Sequence, residues 1–253
     1  MNLILVAFGL VALLAGGDLL VRGAVGVARR LGVSPLVIGL TLVGFGTSAP
    51  ELVTSVSAVG LAVLAMLGQI SVLAGITLLA LLGTYLWGAF RSAAAPDHEP
   101  GLPTDPLPKA ATFLMIGLAL TLGGAIALVD GATGIARAYG VPETVIGLTL
   151  VAVGTSLPEL ATTVMAARRG QSDVALGNIL GSGIFNILGI LGVTALVTPL
   201  PVDAALLPDI AVMLATTALL LGLLFWRRGL GRISGLVFLL TYAAYMAWLS
   251  QTF

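Results

Sequence analysis

The stretch VIGLTLVGFGTSAPEL, Val37–Leu52, holds a single charge in sixteen residues, Glu51. A second stretch, VIGLTLVAVGTSLPEL at Val145–Leu160, is nearly the same text and again carries one carboxylate, Glu159. At an offset of 108, Val37–Val56 and Val145–Val164 agree at 15 of 20 positions. The match runs upstream, where VRGAVGVARRLGV at 21–33 meets VDGATGIARAYGV at 129–141. A repeat of this length is the first thing to explain in any chain.

The repeat sits in an apolar background. The 253 residues are 58% hydrophobic and 9% charged, with mean hydropathy +1.14, whereas soluble domains carry about 25% charged residues. This composition implies an all-α polytopic membrane protein. Net charge is zero, so nothing argues for nucleic acid. The chain has no cysteine, which removes disulfides, thiol catalysis and thiolate metal sites. The only histidine, His98, lies in APDHEPGLPTDPLP and reads as a solvated loop residue. The first apolar run contains Asp18 and Arg22 and lacks a basic leader, as expected of a retained membrane helix and not a signal peptide.

A helix needs about 20 apolar residues to cross the hydrocarbon core. That ruler gives eight spans, at 3–28, 36–60, 70–90, 111–136, 143–167, 173–198, 205–226 and 233–251. Lys and Arg gather on cytoplasmic ends. With the N-terminus outside, ten of the eleven fall on the cytoplasmic side and Arg137 alone outside. The first copy then begins on a helix that starts outside, and the second on one that starts inside. The copies are inverted, an arrangement found in many secondary transporters. The expected organisation is a first repeat at 1–91, a cytoplasmic linker at 92–109 and a second repeat at 110–253.

The copies differ in length. The second continues as RRGQSDVALGNILGSGIFNILGILG, for which the first has no counterpart. GQIS at 68–71 and GRIS at 231–234 stand at an offset of 163, which leaves about 55 residues of the second half without partners. That is two helices, so three spans face five, and the even deletion preserves inversion.

A mid-membrane carboxylate costs on the order of 2.5–3.5 kcal/mol, and one kept at that cost usually faces a polar cavity. Gly46 and Pro50, like Gly154 and Pro158, weaken the helix and free carbonyls. Thr47, Ser48, Thr155 and Ser156 add hydroxyls. Carboxylates, hydroxyls and carbonyls are hard ligands, suited to Ca²⁺ or Na⁺. The same carboxylates could carry protons. Ser182 and Asn186 lie four apart on one helix face, and the small residues of GNILGSGIFN allow that helix to approach the Glu159 elbow. Asp18 and Arg22, also four apart, are expected to pair on the first helix. Asp130 and Asp209, with Trp87, Trp226, Tyr242 and Trp248, fall toward span ends. The Gly-rich stretches lack the strand and GK[ST] of a phosphate loop. No base is positioned beside a nucleophile, so an enzyme is not expected.

Two inverted copies of GTSxPEL, with GNILGSGIFN after the second, resemble the sodium/calcium exchanger family of cation/calcium antiporters. The resemblance covers most of the chain. It implies an inverted-repeat antiporter fold with four ion sites between five-helix repeats, shortened here to about eight helices, three and five. It also implies Ca²⁺ exchanged for Na⁺, or H⁺ in some branches, by alternating access. These ions are transported, and no cofactor is implied. The implied setting is the bilayer of a prokaryotic cell (inner) membrane. The ligands it implies are the Gly44 carbonyl, Thr47, Ser48 and Glu51 in the first copy. The second copy would supply the Ala152 carbonyl, Thr155, Ser156 and Glu159, and the next helix Ser182 and Asn186. Gly183 stands where the family usually has Asn. The helix that would mirror Ser182 and Asn186 is missing from the first half, and Gln69 is the only other amide nearby. Two readings stay open: a working antiporter, or a truncated member that binds cations weakly or works only as an oligomer. The expected compensation is a homodimer, or Leu61–Leu67 folded into the vacated space.

Overall fold

The computed structural model describes residues 1–48, 69–92, 105–198, 200–201, 207–227 and 231–249. In chain order the helices are α1 (Asn2–Leu31), α2 (Pro35–Ile38), α3 (Gly44–Thr47), α4 (Val72–Arg91), α5 (Leu107–Ala138), α6 (Glu143–Ile146), α7 (Ala152–Thr155), α8 (Leu157–Arg168), α9 (Ser172–Ile184), α10 (Leu191–Val197), α11 (Leu207–Arg227) and α12 (Arg232–Leu249). Three π-helical segments interrupt them: π1 (Gly39–Val43), π2 (Gly147–Val151) and π3 (Phe185–Ile190). The strands are two residues each, β1 (Gln69–Ile70) and β2 (Leu200–Pro201). Met1–Leu200 forms one compact unit and Pro201–Phe253 another.

Small residues decide how the first unit packs. Lipid is as apolar as leucine, so membrane helices associate through close packing and not hydrophobic burial. Gly9 and Gly16 of α1 oppose Gly124 and Gly117 of α5 so closely that a Cβ on Gly9 would lie 2.6 Å from the Gly124 carbonyl oxygen, and one on Gly16 2.9 Å from that of Gly117. Further along, Gly131 meets Asn2. Partner numbers fall as α1 numbers rise, so the two helices are antiparallel. Gly9 and Gly117 are equivalent at the offset of 108, as are Gly16 and Gly124. Each therefore meets the equivalent of the other, the signature of an isologous contact. The local twofold passes between Ala12–Leu13 and Leu120–Thr121.

The remaining directions follow from residue pairs. α8 runs parallel to α1, with Ala161 beside Leu13 and Ala166 beside Val21. The α2–π1–α3 segment runs parallel to α9, with Gly39 against Val174 and Gly44 against Gly181 and Ser182. α4 is antiparallel to α10, with Gly75 on Gly192 and Ala195, and Leu79 on Gly192. All four relations agree with the up–down alternation of the sequence-derived spans. Leu20, Ala24, Val27, Ile38, Val43 and Leu114 form the buried centre of this packing.

Among the described residues, five helices are long and apolar enough to cross a membrane, and the bent pair Thr149–Thr155 and Leu157–Arg168 makes six. The expected span at 36–60 is described only through Ser48. Residues 93–104 of the linker expected at 92–109 lie outside the described residues. α5 starts at Leu107, which puts Lys109 in its first turn, 2.8 Å from Asp105. His98 lies outside the described residues. In the second unit, Tyr245 of α12 donates a 2.7 Å hydrogen bond to Asp209 of α11.

One expected pairing is corrected. Asp18 does not pair with Arg22. It receives two bonds from Arg169, at 2.5 Å from Nε and 2.6 Å from Nη2, across the α1–α8 interface. Arg22 lies over the Phe113 ring, 4.9 Å from its centre. A guanidinium fork meets both carboxylate oxygens when it arrives head-on from another helix. The pair is partly exposed, 38% and 28%, so Asp18→Asn should cost no more than about 1 kcal/mol. A double-mutant cycle with Arg169→Gln, read by thermal melting in detergent, measures it.

Candidate cation site

The two GLTLV segments fold alike for a local reason. Thr41 donates its hydroxyl to the Val37 carbonyl at 2.7 Å, and Thr149 does the same to Val145 at 2.6 Å. A hydroxyl bonded to the carbonyl four residues back competes with the backbone ladder. The next turn slips to five-residue bonds, Gly44 N–H to the Gly39 carbonyl and Ala152 N–H to that of Gly147. Single π turns of this kind recur at functional sites. Both helices then stop. Ser48 (φ −83°, ψ 11°) and Ser156 (φ −92°, ψ 4°) leave helical geometry. Leu157 begins the next helix in the second copy, with Pro158 in its first turn and a bend of 49°.

The elbow brings the two halves together. Ser48 donates to Glu159 Oε1 at 2.9 Å. Thr47 donates to Asn178 Oδ1 at 3.4 Å. The Asn178 amide nitrogen donates to the Glu159 carbonyl at 3.1 Å and to the Thr163 hydroxyl at 2.9 Å. Thr47, Ser48 and Asn178 are fully buried. Glu159 Oε2 is buried and has no hydrogen-bond partner, one of two such side-chain oxygens among the described residues, with Thr133 Oγ1. A buried acceptor without a donor is costly and asks for an explanation. Beside hydroxyls and an amide, it is an oxygen that a cation can coordinate.

The sequence-derived ligands divide. Thr47, Ser48 and Glu159 converge, while Glu51 lies outside the described residues. Gly44 and Ala152 offer carbonyls, but these accept bonds from Thr47 at 3.3 Å and Thr155 at 3.1 Å. Ser182 is buried at the α9–α3 contact, with its hydroxyl bonded back to the Asn178 and Ile179 carbonyls. Asn186 is exposed in π3, where its carbonyl accepts the Leu191 N–H. Gln69 falls in β1. The amide that reaches the elbow is Asn178, which sequence reasoning missed. Its signal was its place next to Gly177 and four before Ser182, since Gly177 and Gly181 mark the face that touches π1. Asn178→Ala would strand the Glu159 carbonyl and Thr163 hydroxyl, at about 1–3 kcal/mol. The expected result is a fall in melting temperature of roughly 2–12 °C.

Residues 1–60 and 109–251 match the model of the sodium/calcium exchanger protein family. The chain belongs to the sodium/calcium exchanger family. It is 29% identical to the sodium/calcium exchanger MaX1 of Methanosarcina acetivorans, over 97% of both chains. It is 33% identical to the inner membrane protein YrbG of Escherichia coli, over 98% of this chain and 96% of that one. Its structure matches that of the sodium-calcium exchanger NCX_Mj with a TM-score of 0.82 and 32% identity, covering 97% of this chain and 98% of that one. The family is one of transporters, and this member is an integral membrane protein. The YrbG match spans 315 positions; 98% of 253 residues fills about 248, so roughly 67 positions face no residue here. The family match breaks between 60 and 109, the interval in which the repeat comparison puts its deficit.

Among the described residues the two copies pack differently. In the first copy α9 covers the GLTLV face, and Val37 and Val43 are 5% and 0% exposed. Their equivalents Val145 and Val151 are 46% and 38% exposed. A Cβ on Gly39 would strike Val174 and Gly177, whereas one on Gly147 would meet nothing within 4 Å among the described residues. Ser48 is buried and Ser156 is exposed.

Proposed function

We propose that this exchanger family member moves Ca²⁺ against Na⁺ or H⁺ by alternating access, with inverted repeats at 1–91 and 110–253 on either side of the linker. The observation that carries the reading is the Ser48–Glu159 contact, which joins the two copies around a buried carboxylate oxygen that lacks a donor. The proposed ligands are Thr47, Ser48 and Glu51 from the first elbow, Thr155, Ser156 and Glu159 from the second, and the carbonyls of Gly44 and Ala152. Ser182 of α9 and Asn186 of π3 complete the proposed set, and Asn178 supports them from α9. The ions are cargo, bound by hard oxygens that suit Ca²⁺ and Na⁺. The test is ⁴⁵Ca²⁺ uptake into proteoliposomes against an imposed Na⁺ or H⁺ gradient. Uptake that follows one gradient names the coupling ion, and folded protein with no gradient-driven uptake ends the antiporter reading.

A second reading rests on the uncovered π2 face. The chain could be a transport unit that binds cations weakly until a second copy covers α6–π2–α7. Cross-linking in the membrane, combined with uptake at falling protein-to-lipid ratio, separates the two. Activity per molecule that drops on dilution favours the oligomer, and constant activity favours the monomer.

A further inference from the structure

The Thr47 hydroxyl has one proton and two acceptors within reach. Its oxygen lies 3.3 Å from the Gly44 carbonyl oxygen and 3.4 Å from Asn178 Oδ1. The Gly44 carbonyl, with two lone pairs, already accepts the Ser48 N–H at 3.2 Å. With the Thr47 proton as well, both of its lone pairs are taken and neither is left for a cation. We infer that Asn178 is a positioning residue for the ion. Its Oδ1 takes the Thr47 proton, which frees a lone pair on the Gly44 carbonyl and sets the direction of those on the Thr47 oxygen. The role rests on Thr47 and the Gly44 carbonyl being ligands, as proposed above.

A bond back to its own helix is the usual state of such a hydroxyl, and Thr155 makes it to the Ala152 carbonyl at 3.1 Å. Thr47 differs because α9 brings an amide to it. A Cβ on Gly177 would lie 2.5 Å from the Leu36 carbonyl oxygen, and one on Gly44 2.9 Å from the Ser182 nitrogen. The two backbones are therefore close enough for the short Asn178 side chain to span the gap. That side chain can present only its oxygen to Thr47. Its nitrogen donates to the Glu159 carbonyl at 3.1 Å and to the Thr163 hydroxyl at 2.9 Å, two groups one turn apart on α8. Turned over, Oδ1 would face the Glu159 carbonyl, which has no proton to give. Thr47 and Asn178 are both fully buried, so neither meets bulk water. An amide here adds an acceptor and no charge. Partners that orient metal ligands in this way are worth about 10–100-fold in affinity.

The experiment measures ⁴⁵Ca²⁺ binding to the full chain in nanodiscs by equilibrium dialysis, titrated into the millimolar range. It compares wild type, Thr47→Val, Asn178→Ala and the double variant. Asn178→Ala should weaken binding by about 10–100-fold. In the Thr47→Val background, where no hydroxyl proton needs an acceptor, the same change should add less than about twofold. If Asn178→Ala does not fold, Thr163→Val strands one amide N–H and leaves Oδ1 in place. It should then weaken binding only where the Thr47 hydroxyl is present. An equal loss in both backgrounds makes the amide purely structural and overturns the inference, with the ligand reading intact. Unchanged binding in the folded variant tested overturns it as well. No binding by the wild type, or unchanged binding in Thr47→Val, removes the ligand reading and this inference with it.

Discussion

Glu159→Gln should abolish gradient-driven Ca²⁺ uptake while leaving the protein folded and no less stable. The substitution keeps an oxygen to accept the Ser48 hydroxyl and replaces the buried, unpartnered Oε2 with a neutral group. Removing an uncompensated buried acceptor relieves a desolvation cost, so the melting temperature should hold or rise. Loss of a direct cation ligand should exceed the 10–100-fold typical of outer partners, so initial ⁴⁵Ca²⁺ uptake should drop by roughly 100-fold or more. Opposite signs for stability and activity are the mark of a residue kept for function. Uptake within a few-fold of wild type would remove Glu159 from the site.

The largest effect on folding should come from Gly16→Leu. A Cβ there lies 2.6 Å from the Thr121 backbone nitrogen and 2.8 Å from the Leu120 Cβ, and backbone cannot yield as a side-chain tip can. Overpacking costs about 1–3 kcal/mol where neighbours adjust, and more where they do not. Folded yield should collapse, read as the monodisperse fraction on size exclusion. Gly83→Leu is the control, since no described residue lies within 4 Å of a Cβ there. A normal yield for Gly16→Leu would mean that the α1–α5 crossing is not the fold's organising contact.

Much of this architecture was legible in the chain. The offset of 108 carries α1 onto α5, and their glycines recur every seven residues at Gly9, Gly16 and Gly23 and at Gly117, Gly124 and Gly131. The order of apolar spans gave an up–down alternation that the packing reproduces. The site was legible where its signal is local, as with Thr47, Ser48 and Glu159 beside a proline. It was illegible where the partner is distant. Asp18 finds Arg169, 151 residues away, and a four-residue spacing rule sees only Arg22. Ser182 pairs as well with Asn178 as with Asn186 at that spacing. Only the crossing of π1 over Gly177 and Gly181 decides which amide reaches the elbow.

The uncovered GLTLV face bears on how such a chain can fold. In a soluble protein, exposing Val145 and Val151 in this way would bare a core to water. Lipid is as good a neighbour for valine as another helix, so the same exposure carries little hydrophobic penalty. A membrane chain can therefore leave such a face to lipid and still fold, and the same face stays open to a new neighbour.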